Sequence, residues 1–184
     1  MVPSFVYTIR TRPEIRHAKA AKAFNMELTE RISRLLEEKY AADEAFADCF
    51  TVDVELKPGH RLNVFADSDS GMTFEKCQKL SRYLESHIDA HGWLGEKYVL
   101  EVSSPGIGRP LTFTRQYRNN IGRTVEVTLL DKTLHTGLLK TVTDTHIVIS
   151  QIVIEREGKK KKEVEVETPL SFEQIEKTIV KLKF

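Results

Sequence analysis

Ser104-Pro105-Gly106-Ile107-Gly108-Arg109-Pro110 decides how the chain is divided. Two prolines and two glycines in seven residues neither continue a strand nor start a helix. The two sides of this break read differently. Upstream, apolar residues recur with helical and then strand periods. Downstream, the period is two almost throughout.

Just before the break, Tyr98, Leu100 and Val102 alternate with Glu101 and Ser103, which predicts a strand. Further back, Cys77, Leu80, Leu84 and Ile88 fall on one helical face. Thr73 is the expected N-cap and Gly92 the stop. Phe50, Val52, Val54 and Leu56, then Leu62 and Val64, alternate around the turn Lys57-Pro58-Gly59-His60 and predict a β-hairpin over 50–66. Leu28, Ile32, Leu35 and Leu36 predict a first helix over about 26–41, with Asn25 as its cap. The order α-β-β-α-β predicts an α+β unit over 26–104, one sheet with two helices on one face.

Past the 105–111 linker, a short helix or turn is expected over 115–119. Strands follow around Val125–Leu129, Leu134–Val142, Ile147–Ile149, Val164–Val166 and Ile175–Leu182. Five short strands argue for a small β-barrel over 112–184. Gly137, inside its strand, marks the sharp bend such barrels use. Residues 1–25 carry Pro3, Pro13 and five Arg or Lys. They read as a basic flexible tail, or as an over-long start with Met26 the first residue.

With 184 residues, 40% of them hydrophobic and 30% charged, the chain holds enough apolar content to fold. No apolar run approaches the ~20 residues of a membrane helix. There is no apolar signal-peptide core and no cysteine framework, so a cytoplasmic protein is expected. The net charge of +1 hides a division. Residues 1–26 are at +4, residues 27–108 at −7 and residues 109–184 at +4. Acidic surface suits a basic protein, and basic surface suits nucleic acid.

Candidate chemistry is sparse. Cys49 and Cys77 have no C-x-x-C spacing and read as structural thiols. The six histidines form no H-E-x-x-H motif. Asp67-Ser68-Asp69-Ser70-Gly71 resembles a calcium loop, but its glycine comes one position early and Gln78 replaces the bidentate glutamate. Gly106-Ile107-Gly108 lacks the third glycine of a dinucleotide loop. No nucleophile elbow or Walker loop is present. No enzyme, metal, cofactor or small-molecule substrate is expected. The densest charge cluster, Lys159-Lys160-Lys161-Lys162, is expected at a hairpin tip. There it either contacts phosphate or forms a solvated turn that blocks edge pairing.

The stretch from Tyr98 to Leu111, with Leu100-Glu101-Val102-Ser103-Ser104-Pro105-Gly106 and then Arg109-Pro110-Leu111, resembles the signature of the bacterial ribosome maturation factor RimP family. Gly108 stands where that family carries aspartate. The segments Gly71–Cys77 with Leu80-Ser81-Arg82, and Phe172–Phe184, are similar to it as well. The resemblance implies an α+β domain followed by an SH3-like barrel similar to Sm proteins. It implies a non-catalytic factor in assembly of the small (30S) ribosomal subunit, meeting ribosomal RNA and a basic ribosomal protein. The residues expected to take part are Lys159, Lys160, Lys161, Lys162 and Arg109 at RNA, and the motif residues Ser103, Ser104, Pro105, Gly106, Arg109 and Pro110 at the linker. A free-standing RNA-binding regulator is the alternative, and an unrecognised small enzyme the more distant one.

Overall fold

The computed structural model describes residues 13–157 and 160–182. Helix α1 (Pro13–Ala42) leads into a 3-10 turn (Glu44–Phe46), then β1 (Cys49–Lys57), β2 (Arg61–Ser68), α2 (Phe74–His91) and β3 (Val99–Ser103). After the linker come α3 (Thr114–Asn119), β4 (Thr124–Leu129), β5 (Leu134–Val142), β6 (His146–Glu157) and β7 (Lys160–Ser171). A second 3-10 turn (Phe172–Gln174) and β8 (Ile175–Val180) complete the order.

The first helix begins at Pro13, well before the expected start near Met26, so Asn25 lies inside it and is no cap. Proline suits a first helical turn because its missing N–H would have no partner there. The run Ala18-Lys19-Ala20-Ala21-Lys22-Ala23 consists of strong helix formers. The flexible-tail reading therefore fails from Pro13 onward, and residues 1–12 lie outside the described residues.

The first sheet has the order β1-β2-β3. Strands β1 and β2 are an antiparallel hairpin, and β3 runs parallel to β2 after the α2 crossover. Leu62, Val64 and Ala66 of β2 are fully buried against Leu28, Ile32 and Leu36 of α1 and Leu80, Leu84 and Ile88 of α2. Thr73 caps α2 by accepting a hydrogen bond from the Lys76 N–H, and Gly92 ends it at φ 61°. Residues i, i+2 of a strand share a face, so the opposite face of this sheet carries Asp53, Glu55, Asn63, Phe65 and Glu101.

A second, separate core gathers Tyr117, Val125, Val127, Leu139, Ile147, Ile149, Leu170 and Val180. Ile107 and Leu111, placed in the linker by sequence, pack against this core, and the Leu111 N–H donates to the Thr178 carbonyl at 2.9 Å. The second sheet is antiparallel with the order β7-β6-β5-β4-β8. The expected closed barrel is not formed, because no ladder joins β7 to β8 among the described residues. The sheet is nevertheless curled. Only Phe172–Gln174 separate β7 from β8, a reach of at most ~14 Å. Those strands are the two edges of a five-stranded sheet that would be ~19 Å wide if flat. Strands β6 and β7 pair over twelve positions and extend as a ribbon on which Ile152 and Ile154 are exposed.

No helix among the described residues is long and apolar enough to cross a membrane.

Candidate functional site

The motif stretch lies where the two cores meet. Ser103 ends β3 opposite Phe65 of β2. Pro105 stops the strand, and Gly106 turns the chain at φ 62°, a left-handed conformation that favours glycine. Ile107 then enters the second core, while Arg109 turns back over the first sheet. Its guanidinium carbon is 3.8 Å from the centre of the Phe65 ring. One terminal nitrogen donates to Asp53 Oδ2 and to Glu55 Oε1, each at 2.5 Å. Pro110 then leads to Leu111 and the second core.

A second arginine repeats this arrangement from the other side. Arg115 of α3 lies 4.1 Å above the centre of the Phe50 ring. Its Nε donates to Asp69 Oδ1 at 2.9 Å, and its Nη2 pairs with Asp69 Oδ2 and reaches the Asp48 carbonyl at 3.2 Å. Phe113 packs edge-on against Phe50 at 5.8 Å, and Asn119 Nδ2 donates to the Ser68 carbonyl at 3.0 Å. Gln116 fixes the start of α3: its buried Oε1 accepts from the N–H groups of Thr112 and Phe113. Each arginine thus adds a cation–π contact to its carboxylate pair, and both bridge the two units.

Between these anchors lies a cleft of about 440 Å³ lined by Asp67, Ser104, Gly106, Asn119, Asn120 and Arg123. It is lined mainly by polar groups. Asp69, expected in a polar loop, is held by Arg115. Among the described residues no three His, Cys, Asp or Glu side chains converge as metal ligands would. Cys49 is buried and Cys77 half-buried, both free. Burial pushes both thiols up, away from the reactive thiolate.

Asp48 anchors the wall of the cleft. It accepts from the Ser70 N–H at 2.8 Å and from Lys76 Nζ at 2.9 Å, and Lys76 also donates to Ser68 and Ser70. Hydrogen bonds from Ser70 and Lys76 hold its carboxyl well below the usual carboxylate range. Burial alone would lower the Lys76 ammonium, and the bond to Asp48 together with the charge of Asp48 and the neighbouring Cys49 raises it on balance. A carboxyl depressed in the folded state stabilises the fold above its unfolded value of about 3.9 and loses that contribution as pH falls toward its folded value. The melting temperature should therefore fall on acidification below about pH 4. Asp48→Asn should flatten that acid limb, and an identical limb in wild type and variant would assign it to other carboxylates.

The residues named from sequence do not gather at one place. Ser103, Ser104, Pro105, Gly106, Arg109 and Pro110 form the junction. Arg109, expected on the RNA side, is turned to carboxylates of its own chain. Lys160, Lys161 and Lys162 are strand residues of β7, opposite Glu157, Arg156 and Glu155, where a hairpin tip was expected. Lys159 lies outside the described residues. Nothing in the sequence singles out Phe50, Phe65, Asp53 or Arg115. The available signal was the alternation of Asp53 and Glu55 with apolar residues, which marks the outer face of β1.

Fold and junction together define a protein of two mixed α and β units tied by a motif-bearing linker. The family described as RimP N-terminal domain matches residues 46–108. A ribosome maturation factor RimP from Cytophaga hutchinsonii is 34% identical over 161 residues, covering 83% of this chain and 92% of that protein. Relatives with the same name from Flavobacterium psychrophilum and Porphyromonas gingivalis are 28% and 34% identical. They cover 86% and 75% of this chain, and 100% and 87% of their own lengths. The chain belongs to the ribosome maturation factor RimP family.

Proposed function

We propose that this protein is a non-catalytic assembly factor for the small (30S) ribosomal subunit, acting in the cytoplasm on ribosomal RNA and a basic ribosomal protein. Its relatives are named for ribosome maturation. The observation that carries the division of labour is the split of charge between the two units, −7 over residues 27–108 and +4 over 109–184. The outer sheet face, where Glu101 stands exposed beside the Arg109-paired Asp53 and Glu55, is the part of the acidic unit that suits a basic protein. The ribbon of β6 and β7, on the curled sheet that we take as the SH3-like unit, carries Lys160, Lys161 and Lys162 in its β7 strand, and with Lys159 these are the lysines assigned to RNA phosphates. Ser103–Pro110 sets the angle between the two.

A salt titration tests this reading. Each lysine paired with a phosphate releases counterions, at roughly 0.7–0.9 of slope in log K against log salt. Replacing Lys159, Lys160, Lys161 and Lys162 with alanine should flatten the slope for immature small subunits by up to about 3. Binding to an isolated basic ribosomal protein should change little. An unchanged slope on the subunit would reduce the lysines to a solvated ribbon end. Co-sedimentation with immature small subunits, but not with unrelated RNA, separates assembly factor from free-standing RNA regulator.

A further inference from the structure

We infer that the groove between α1 and α2 is a second RNA contact, taking a nucleotide of a single strand on the far side of the acidic unit from its sheet face. The groove has a volume of about 330 Å³ and is lined by Arg31, Arg34, Glu38, His87, His91 and Trp93. That is the low end of the size range for ligand pockets, ~300–1,000 Å³, and suits a single nucleotide.

The local chemistry runs against the charge of its unit. Two arginines and two histidines face a single lining acid in a segment that carries −7 overall. Arg31 is shared with Glu27 at 2.8 Å, while Arg34 makes no ion pair among the described residues. His87 and His91 lie one turn apart on α2. Each Nδ1 is bonded to the carbonyl four residues back, Tyr83 at 2.9 Å and His87 at 2.8 Å. Those bonds make Nδ1–H the donor, and neither Nε2 atom has a hydrogen-bond partner among the described residues.

The rings are held in place. Gly92 in its left-handed conformation lets the Trp93 N–H return to the Ile88 carbonyl, which fixes the indole against the end of α2. His91 stacks on Trp93 at 4.8 Å and 24°. Arg31 sits 5.1 Å from the centre of the Trp93 ring. His87 lies 4.5 Å from Tyr83. His91 is exposed, so the stacked imidazole and indole extend a flat surface toward solvent. Flat rings beside unpaired guanidinium are what a single-stranded nucleic acid uses: a base stacks and the neighbouring phosphate pairs. An acidic peptide would use the guanidinium and leave the rings idle, so the rings favour RNA.

Trp93 is the chain's single tryptophan and lines both this groove and the neighbouring cavity at the Leu56–His60 turn, so the Arg34 and His91 variants assign any quenching to the groove. The full chain is titrated with a ten-nucleotide oligouridylate. Saturable quenching is expected. Arg34→Ala and His91→Ala should each weaken it about tenfold. Arg34→Ala should also lower the salt slope by about 0.7. His91→Phe, which keeps a ring, should recover much of the affinity lost in His91→Ala. The quadruple lysine variant should retain the quenching, which makes this inference separable from the ribbon assignment. Absence of saturable quenching overturns the proposal. So does equal quenching by oligoglutamate, or quenching unchanged in both alanine variants.

Discussion

Gly137→Ala should lower the melting temperature of the second unit by roughly 10–20 °C. A Cβ at this position would sit 2.6 Å from the Ser150 carbonyl oxygen, and 3.2 Å from both the Ser150 carbonyl carbon and Gln151 Cγ. The obstacle is backbone. Ser150 is paired with Leu138 in the β5–β6 ladder, so its carbonyl moves only if the pairing next to it opens. The ladder already slips by one residue between Leu139 and Thr141, and the close approach at Gly137 lies just before that bulge. Forcing a methyl group into a packed site costs typically 1–3 kcal/mol, and a fixed carbonyl at this distance places the cost at about 2–3 kcal/mol. For a unit of this size each kcal/mol moves the midpoint by about 4–8 °C. Gly108→Ala is the control. It has open space around its Cβ and no positive φ, so it should be neutral or stabilising by about 0.4–1 kcal/mol through the unfolded chain. Calorimetry of the two variants decides the matter, and equal midpoints would mean that β5 and β6 can separate without loss.

The same strand shows what periodicity in a sequence conveys and what it does not. The α-β-β-α-β order, the caps at Thr73 and Gly92 and the five downstream strands were legible, because each leaves a local mark in apolar spacing or turn chemistry. The first turns of α1 were not. Alanine and lysine at 18–23 favour a helix through backbone propensity and show no apolar stripe. The long ribbon was not legible either, since Ile152 and Ile154 alternate like core residues yet are exposed. Closure of the second sheet depends on where edges β7 and β8 end up, which no local pattern encodes. The junction was half legible. The Pro and Gly residues of 105–110 announced a break, and Arg109 stood out in the motif. Its partners Asp53, Glu55 and Phe65 lie more than forty positions upstream, and only the fold brings them under the guanidinium.

Replacing both bridging arginines, as Arg109→Ala with Arg115→Ala, should uncouple the two units and lower the midpoint of the less stable one by about 5–15 °C. Arg109 is the sole bridge from the second unit to Asp53 and Glu55 named among the described residues, and those two carboxylates share one strand face. Without it they repel each other across that face. Glu55 keeps Lys57 at 3.2 Å, which softens the loss. The side chains of the two bridges are partly exposed, from 29% for Arg109 to 50% for Asp69, so solvent screens them and each ion pair counts for less than a buried one. The aromatic faces raise the total, since each guanidinium also covers a ring, Phe65 or Phe50. Together the two bridges are worth about 1–3 kcal/mol. The units themselves are small and marginal, so a coupling of this size decides whether they melt together. Wild type should give one calorimetric transition at low salt. The double variant should give two, and its solution scattering should show a larger radius of gyration. High salt should move wild type toward the variant, because the exposed pairs are screened within a few ångströms at ~1 M ionic strength. Unchanged scattering with a single transition in the double variant would mean that Ile107, Leu111 and the Phe50–Phe113 contact hold the junction without the arginines.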